Sequence, residues 1–170
     1  MPLLFTDPRF LDHDTGRHPE CAARLAAITS RLATGAPIDR YDRGMCRPAS
    51  PEEIERVHSR SHVEAVERFA AHGGGRIEID TIVSPVSFDV AVLAAGTAVA
   101  AVEAVLRGEH QRAVCLVRPP GHHALRDHPM GFCLFNNVAV AARHAREAFG
   151  LERVLVVDGD VHHGNGTQEA

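Results

Sequence analysis

The sequence predicts a layered α/β fold around a mainly parallel sheet, and three observations carry that prediction. Two apolar runs, Ala113-Val114-Cys115-Leu116-Val117 and Val154-Leu155-Val156-Val157, have the unbroken hydrophobicity of strands buried on both faces. Between them an alanine-rich stretch from Asn136 to Phe149, closed by Gly150, reads as a helix. Strand, loop, helix and strand of these lengths make a βαβ unit, whose right-handed crossover leaves both strand carboxyl ends on one side of the sheet.

The other elements follow in chain order. Leu3-Leu4-Phe5-Thr6 reads as a first strand, with a polar loop after it through Gly16. His18-Pro19-Glu20 opens a helix from Glu20 to Ala33, in which Leu25, Ile28 and Leu32 recur at helical spacing. Ser50-Pro51-Glu52-Glu53 combines an N-cap serine, a proline at the first helical position and a capping-box glutamate. That helix is expected to run to Ala71 and stop at Gly73-Gly74-Gly75. Ser84-Pro85 marks a turn before a small-residue helix from Asp89 to Leu106.

Composition narrows the function classes. At 170 residues and 45% hydrophobic, the chain suits one domain, residues 1–170. A net charge of −4 gives no bulk attraction for nucleic acid. All 18 basic residues are arginine, which excludes a Schiff-base lysine and a P-loop lysine. The cysteines, Cys21, Cys46, Cys115 and Cys133, have no metal-finger or disulfide-framework spacing, and Cys115 and Cys133 read as buried thiols. No signal peptide is evident, and the uncharged run from Val90 to Val102 is shorter than a bilayer span. The expectation is a cytoplasmic protein without a membrane partner.

The chemistry concentrates in two motifs, each just after a predicted strand. Asp158-Gly159-Asp160-Val161-His162-His163-Gly164-Asn165-Gly166 follows the second run. Strand alternation would project Asp158, Asp160 and His162 together from the carboxyl end, where open α/β sheets bind ligands, and would send His163 to the other side. Two carboxylates and an imidazole there suit a metal. Pro119-Pro120-Gly121-His122-His123-Ala124 follows the first run, so His122 and His123 are expected to face that group. Two imidazoles beside a metal supply a base for water and an orienting donor, and Asp158 and Asn165 are the nearby groups able to fix their tautomers.

These blocks resemble the zinc-dependent histone deacetylase family, which includes acetylpolyamine amidohydrolases. The resemblance covers nearly the whole chain. It rests on His18-Pro19-Glu20 with Arg24-Leu25, Asp80-Thr81 before Ser84-Pro85, Arg118 through Ala124, Gly131-Phe132-Cys133-Leu134-Phe135-Asn136-Asn137, and Asp158 through Gln168. It implies a three-layer α/β/α, arginase/deacetylase-like fold. It implies Asp160 and His162 as two of three Zn2+ ligands, His123 as general base and acid, and His122 as its companion. Asp158 would orient His122 and border a structural K+ or Na+ ion, and Asn165 would orient the second imidazole. Gly131 and Phe132 would wall a tunnel for the acyl-amine stem, with Asp80 as a rim carboxylate for substrate. The implied substrates are an acetylated lysine peptide or an acetylated polyamine, with acetate released.

The chain departs from that family pattern in two ways. Gly159 stands where the family carries a bulky residue. The third ligand, a later aspartate, and an oxyanion-stabilising tyrosine are absent from the sequence; Tyr41, the only tyrosine, matches neither. The reading is therefore of a truncated domain, and the 170 residues alone are expected to be inactive. An arginase-like manganese ureohydrolase and a non-catalytic truncated module are the alternatives. Other patterns have simpler readings. Gly164-Asn165-Gly166 lacks a third glycine at Glu169, His72-Gly73-Gly74-Gly75 suits a helix end, and His58 and His62 suit a structural role on one helix face.

Overall fold

The computed structural model describes residues 1–35 and 40–170. Its main sheet has three parallel strands: β1 (Leu3–Phe5) lies between β2 (Asp42–Arg43) and β5 (Ala113–Cys115). Alternation along β1 explains the layers. Leu3 and Phe5 pack against Ala101 and Ala104 of α4 (Ser87–Leu106), whereas Leu4 shares the opposite face with Leu25 and Leu32 of α1 (Ala22–Gly35). Helices thus cover both faces, as an all-parallel sheet requires. Helix α4 is long and apolar enough to cross a membrane by composition alone, but Ala94, Ala95 and Val99 are fully buried in the protein.

Local signals set several boundaries. Ser50 caps α2 (Pro51–Glu55) with both halves of the capping box formed. Gly150, at φ 70°, closes α5 (Asn137–Phe149), and Asn136 caps its start by accepting from Ala139 N–H. Gly73-Gly74-Gly75 ends α3 (Arg60–Ala71) and leads into an antiparallel hairpin, β3 (Gly75–Glu78) and β4 (Thr81–Val83), which the sequence pattern does not predict.

Three expectations need correction. The single helix from Pro51 to Ala71 is two, because Ser59 acts as a second N-cap, accepting from His62 N–H while its own N–H donates to Arg126 O. The break turns His58 inward: its Nδ1 meets Leu125 O at 2.9 Å and its Nε2 accepts from Asn136 N–H at 2.8 Å. His62 likewise bonds Leu134 O, so both histidines are structural. The strand at Ala113–Val117 is shorter and only half-buried, since β5 forms an edge of the sheet.

The third correction is the largest. Residues 153–159 form no strand, and Leu155 and Val157 are 86% and 82% exposed. An apolar groove of about 660 Å³ separates this segment from Cys115 of β5, with Val102, Val105 and Ala141 along its floor. Hydrophobicity records that Val154-Leu155-Val156-Val157 is suited to burial. Burial itself needs a neighbouring strand, and none pairs with this segment among the described residues.

Candidate active site

The two motifs meet at the carboxyl side of the sheet. After β5 the chain turns through Arg118-Pro119-Pro120-Gly121, and His122 and His123 follow with ring centroids 4.0 Å apart. A short helix, α6 (Asn165–Glu169), docks on this loop: Thr167 N–H donates to His122 O. Contact there is tight enough that a Cβ on Gly166 would lie 2.2 Å from Ala124 O. This docking brings both orienting groups into reach. His122 Nδ1 lies 2.8 Å from Asp158 Oδ2, and His123 Nδ1 lies 2.6 Å from Asn165 Oδ1. A carboxylate and an amide oxygen only accept, so each Nδ1 carries a proton, and in the neutral ring each Nε2 keeps its lone pair. His123 is half-buried, and in that tautomer its Nε2 can accept a proton.

Asp158, Asp160 and His162 are held by something other than strand alternation. Asp158 Oδ1 accepts from Asp160 N–H at 3.0 Å, and Asp160 Oδ1 accepts from His162 N–H at 2.8 Å, two successive Asx turns. The Asp160 N–H, then His122, hold the Asp158 carboxyl below the ordinary carboxylate range. The backbone N–H and then the side chain of His162 do the same to Asp160. Both stay ionised at neutral pH. His162 Nδ1 lies 3.0 Å from Asp160 Oδ1, and its ring centroid is 6.1 Å from that of His123. Here the imidazole donates to the carboxylate; a divalent cation held by the two would take the place of that proton, and a catalytic zinc takes three protein ligands. Around them the segment is open: His163 is exposed, and a Cβ on Gly159 would meet nothing within 4 Å.

Gly131 and Phe132 form the tip of a turn closed in both directions between Met130 and Cys133. Their φ values, 57° and 70°, are both left-handed, as in a type I′ turn. Gly131 is required twice over: by its φ, and because a Cβ would lie 2.4 Å from the His123 ring. Phe132 is the only non-glycine residue with positive φ among the described residues, a strain of about 1–3 kcal/mol. Its ring packs edge-on against His18, with centroids 4.6 Å apart. The half-buried Asp80 joins this turn: its Oδ1 accepts from Gly131 N–H at 3.2 Å.

Sequence reasoning missed the pair beneath these loops. Arg118 and Glu20 are 4% and 1% exposed. Arg118 Nε and Nη2 donate to the two Glu20 oxygens at 2.6 and 2.8 Å, while Nη1 and Nη2 donate to Phe10 O and His13 O. The ion pair ties the His18-Pro19-Glu20 loop to the base of the histidine loop. Both residues stand in quoted motifs, but no spacing rule couples positions 98 apart. A second cluster, Glu53, Glu103 and His144, gathers ligand-type atoms within 4.8 Å on α2, α4 and α5. Arg47 pairs with both carboxylates, Arg107 adds a second cation beside Glu103, and Arg56 Nη1 lies 2.6 Å from His144 Nδ1, which makes this an arginine-paired clasp between helices.

The fold and the site together define a three-layer α/β protein with paired imidazoles facing an aspartate–histidine pair. The chain belongs to the histone deacetylase family: the family's domain model matches residues 18–170. It is 44% identical over 166 residues to a probable deacetylase of Methanothermobacter thermautotrophicus, covering 97% of this chain and 49% of that protein. It is 50% identical over 151 residues to the histone deacetylase-like amidohydrolase of Pseudomonas aeruginosa, covering 89% and 40%. The human polyamine deacetylase HDAC10 is 44% identical over 160 residues, covering 88% and 24%. The crystal structure of the HDA15 HD domain superposes with a TM-score of 0.92 at 41% identity, covering 98% of this chain and 50% of that one. The chain spans about half the length, or less, of these relatives.

Proposed function

We propose that this chain carries the acid–base half of a metal-dependent deacetylase that hydrolyses the acetyl-amide of acetyl-lysine or an acetylpolyamine. The single observation that carries this reading is the pair of oriented imidazoles, His122 on Asp158 and His123 on Asn165, with rings 4.0 Å apart. Family membership and relatives named for deacetylase, amidohydrolase and polyamine deacetylase activity support the reaction class.

Asp160 and His162 would hold the divalent ion, zinc in this reading, which supplies carbonyl polarisation and a more acidic water when bound. His123 Nε2 takes a proton from the attacking water, with Asn165 fixing the ring, and returns it to the leaving amine. Acetate and the free amine are the products. His122, held by Asp158, orients the same water; a K+ or Na+ ion beside Asp158 would add to its positioning. Gly131 and Phe132 line the path of a stem that is neutral while acetylated.

The third ligand that a catalytic zinc takes has no candidate side chain paired with Asp160 and His162 among the described residues. Residues 1–170 by themselves are therefore expected to release little acetate. The test combines metal content with turnover, using an acetyl-lysine peptide and an acetylated polyamine as probes on a polypeptide that contains these residues and turns over. Asp160→Ala should lose the metal and the activity. His123→Ala should keep the metal and lose at least 100-fold in kcat, on the order expected for a general acid–base group. Unchanged turnover in His123→Ala would sink the proposal, and urea release from guanidino substrates would replace it with the ureohydrolase reading.

A further inference from the structure

The strained turn that presents Phe132 is held from outside by two consecutive side chains. Gly131 N–H donates to Asp80 Oδ1 at 3.2 Å, and Phe132 N–H donates to Thr81 Oγ1 at 3.1 Å. Thr81 Oγ1 in turn donates to Asp80 Oδ1 at 3.1 Å, so the two acceptors fix each other. Thr81 is fully buried at the start of β4, paired in the hairpin with β3. In a type I′ turn the N–H groups of the two central residues point away from the turn's own hydrogen bonds and need partners elsewhere. Here both are satisfied by positions 51 residues upstream.

The consequences reach the imidazoles on either side. Gly131 sits so close to His123 that a Cβ would lie 2.4 Å from its ring, and Phe132 packs edge-on against His18. An aromatic residue does not adopt a left-handed φ unaided; the surroundings must over-determine it. We propose that Thr81 is a positioning residue: its hydroxyl locks Phe132 in the left-handed conformation that aims the ring at His18 and keeps Gly131 against His123. Its role in catalysis rests on the deacetylase reading; the clamp itself does not.

Thr81→Val keeps the shape and burial but removes the acceptor, and Thr81→Ser keeps the acceptor. The test is a cycle with Phe132→Gly, because glycine adopts the left-handed conformation without a clamp. Thr81→Val should lower the folding equilibrium constant about 10-fold when Phe132 is intact and less than 3-fold in the Phe132→Gly background. Amide exchange at Phe132 should accelerate at least 10-fold in Thr81→Val and stay near the wild-type rate in Thr81→Ser. Equal losses in both backgrounds, or unchanged exchange at Phe132 in Thr81→Val, would overturn the clamp. In a polypeptide that turns over acetylated amine, Thr81→Val should raise KM at least 5-fold with metal content unchanged, and Thr81→Ser should restore it. A KM unaffected by Thr81→Val would leave the clamp a fold device and defeat its catalytic role. Absence of turnover in a metal-loaded polypeptide that extends beyond these residues would count against the deacetylase reading, while the cycle and the exchange rates still judge the clamp.

Discussion

The histidine wall and the aspartate segment contribute to one site but are held by different means. His122, His123, Gly131 and Phe132 stand on loops anchored from beneath by Glu20 and Arg118 and from the side by Asp80 and Thr81. Residues 151–163, which bring Asp158, Asp160 and His162, are exposed throughout. Their geometry comes from two Asx turns and from one bond to His122. The difference teaches that the imidazole pair owes its placement to buried anchors. The aspartate side depends on a segment whose apolar side chains Leu155 and Val157 stand in solvent.

The largest way to break that contrast is Arg118→Met. It leaves the Glu20 carboxylate buried without its partner, so the fold should lose about 3–5 kcal/mol in denaturant unfolding. A loss under about 1 kcal/mol, the worth of an exposed pair, would show that the anchor under the histidine loop is not what holds it.

Acid should come next. Burial pushes His13 and His58 down from 6.5 to about 4, and neither residue is more than 1% exposed. Both are neutral in the fold while the unfolded chain takes up protons near pH 6.5. Their contribution is therefore complete above that pH and lost as pH falls towards 4. The expected loss is about 3 kcal/mol for each across that window. Stability measured against pH should fall there less steeply in His58→Gln, and an unaltered slope would contradict the assignment.

The smallest effect sharpens the comparison from the other side. Leu155→Lys and Val157→Lys should change stability by no more than about 0.5 kcal/mol, since both side chains stand in solvent. They should also reduce self-association of the 170-residue chain by interrupting an exposed apolar run. A cost above about 2 kcal/mol, the scale of a buried side chain, would mean that another strand covers this segment in solution.

Much of the fold was legible because local physics encodes it. The capping box at Ser50 and Glu53 and the Asn136 and Gly150 caps of α5 were readable from adjacent residues. The pairing of His122 with Asp158 and of His123 with Asn165 was legible too, but through the motif resemblance, since the second strand expected to carry Asp158 does not form. Less legible was Ser59, a cap hidden inside a helical pattern, and least of all the 153–157 run. Its residues are those of a buried strand, but a strand is a relation between two segments, and its hydrogen-bond partner lies outside any window of sequence.

The sequence by itself determined where α1, α4 and α5 lie and which residues cap α2 and α5, since these follow from hydrophobic period and hydrogen bonds between near neighbours. Only the tertiary structure decided that Glu20 reaches Arg118, that Thr81 holds Phe132 left-handed and that Leu155 and Val157 face water. Each of those depends on which distant surfaces pack together, and packing selects its partners by shape and by the burial each can offer.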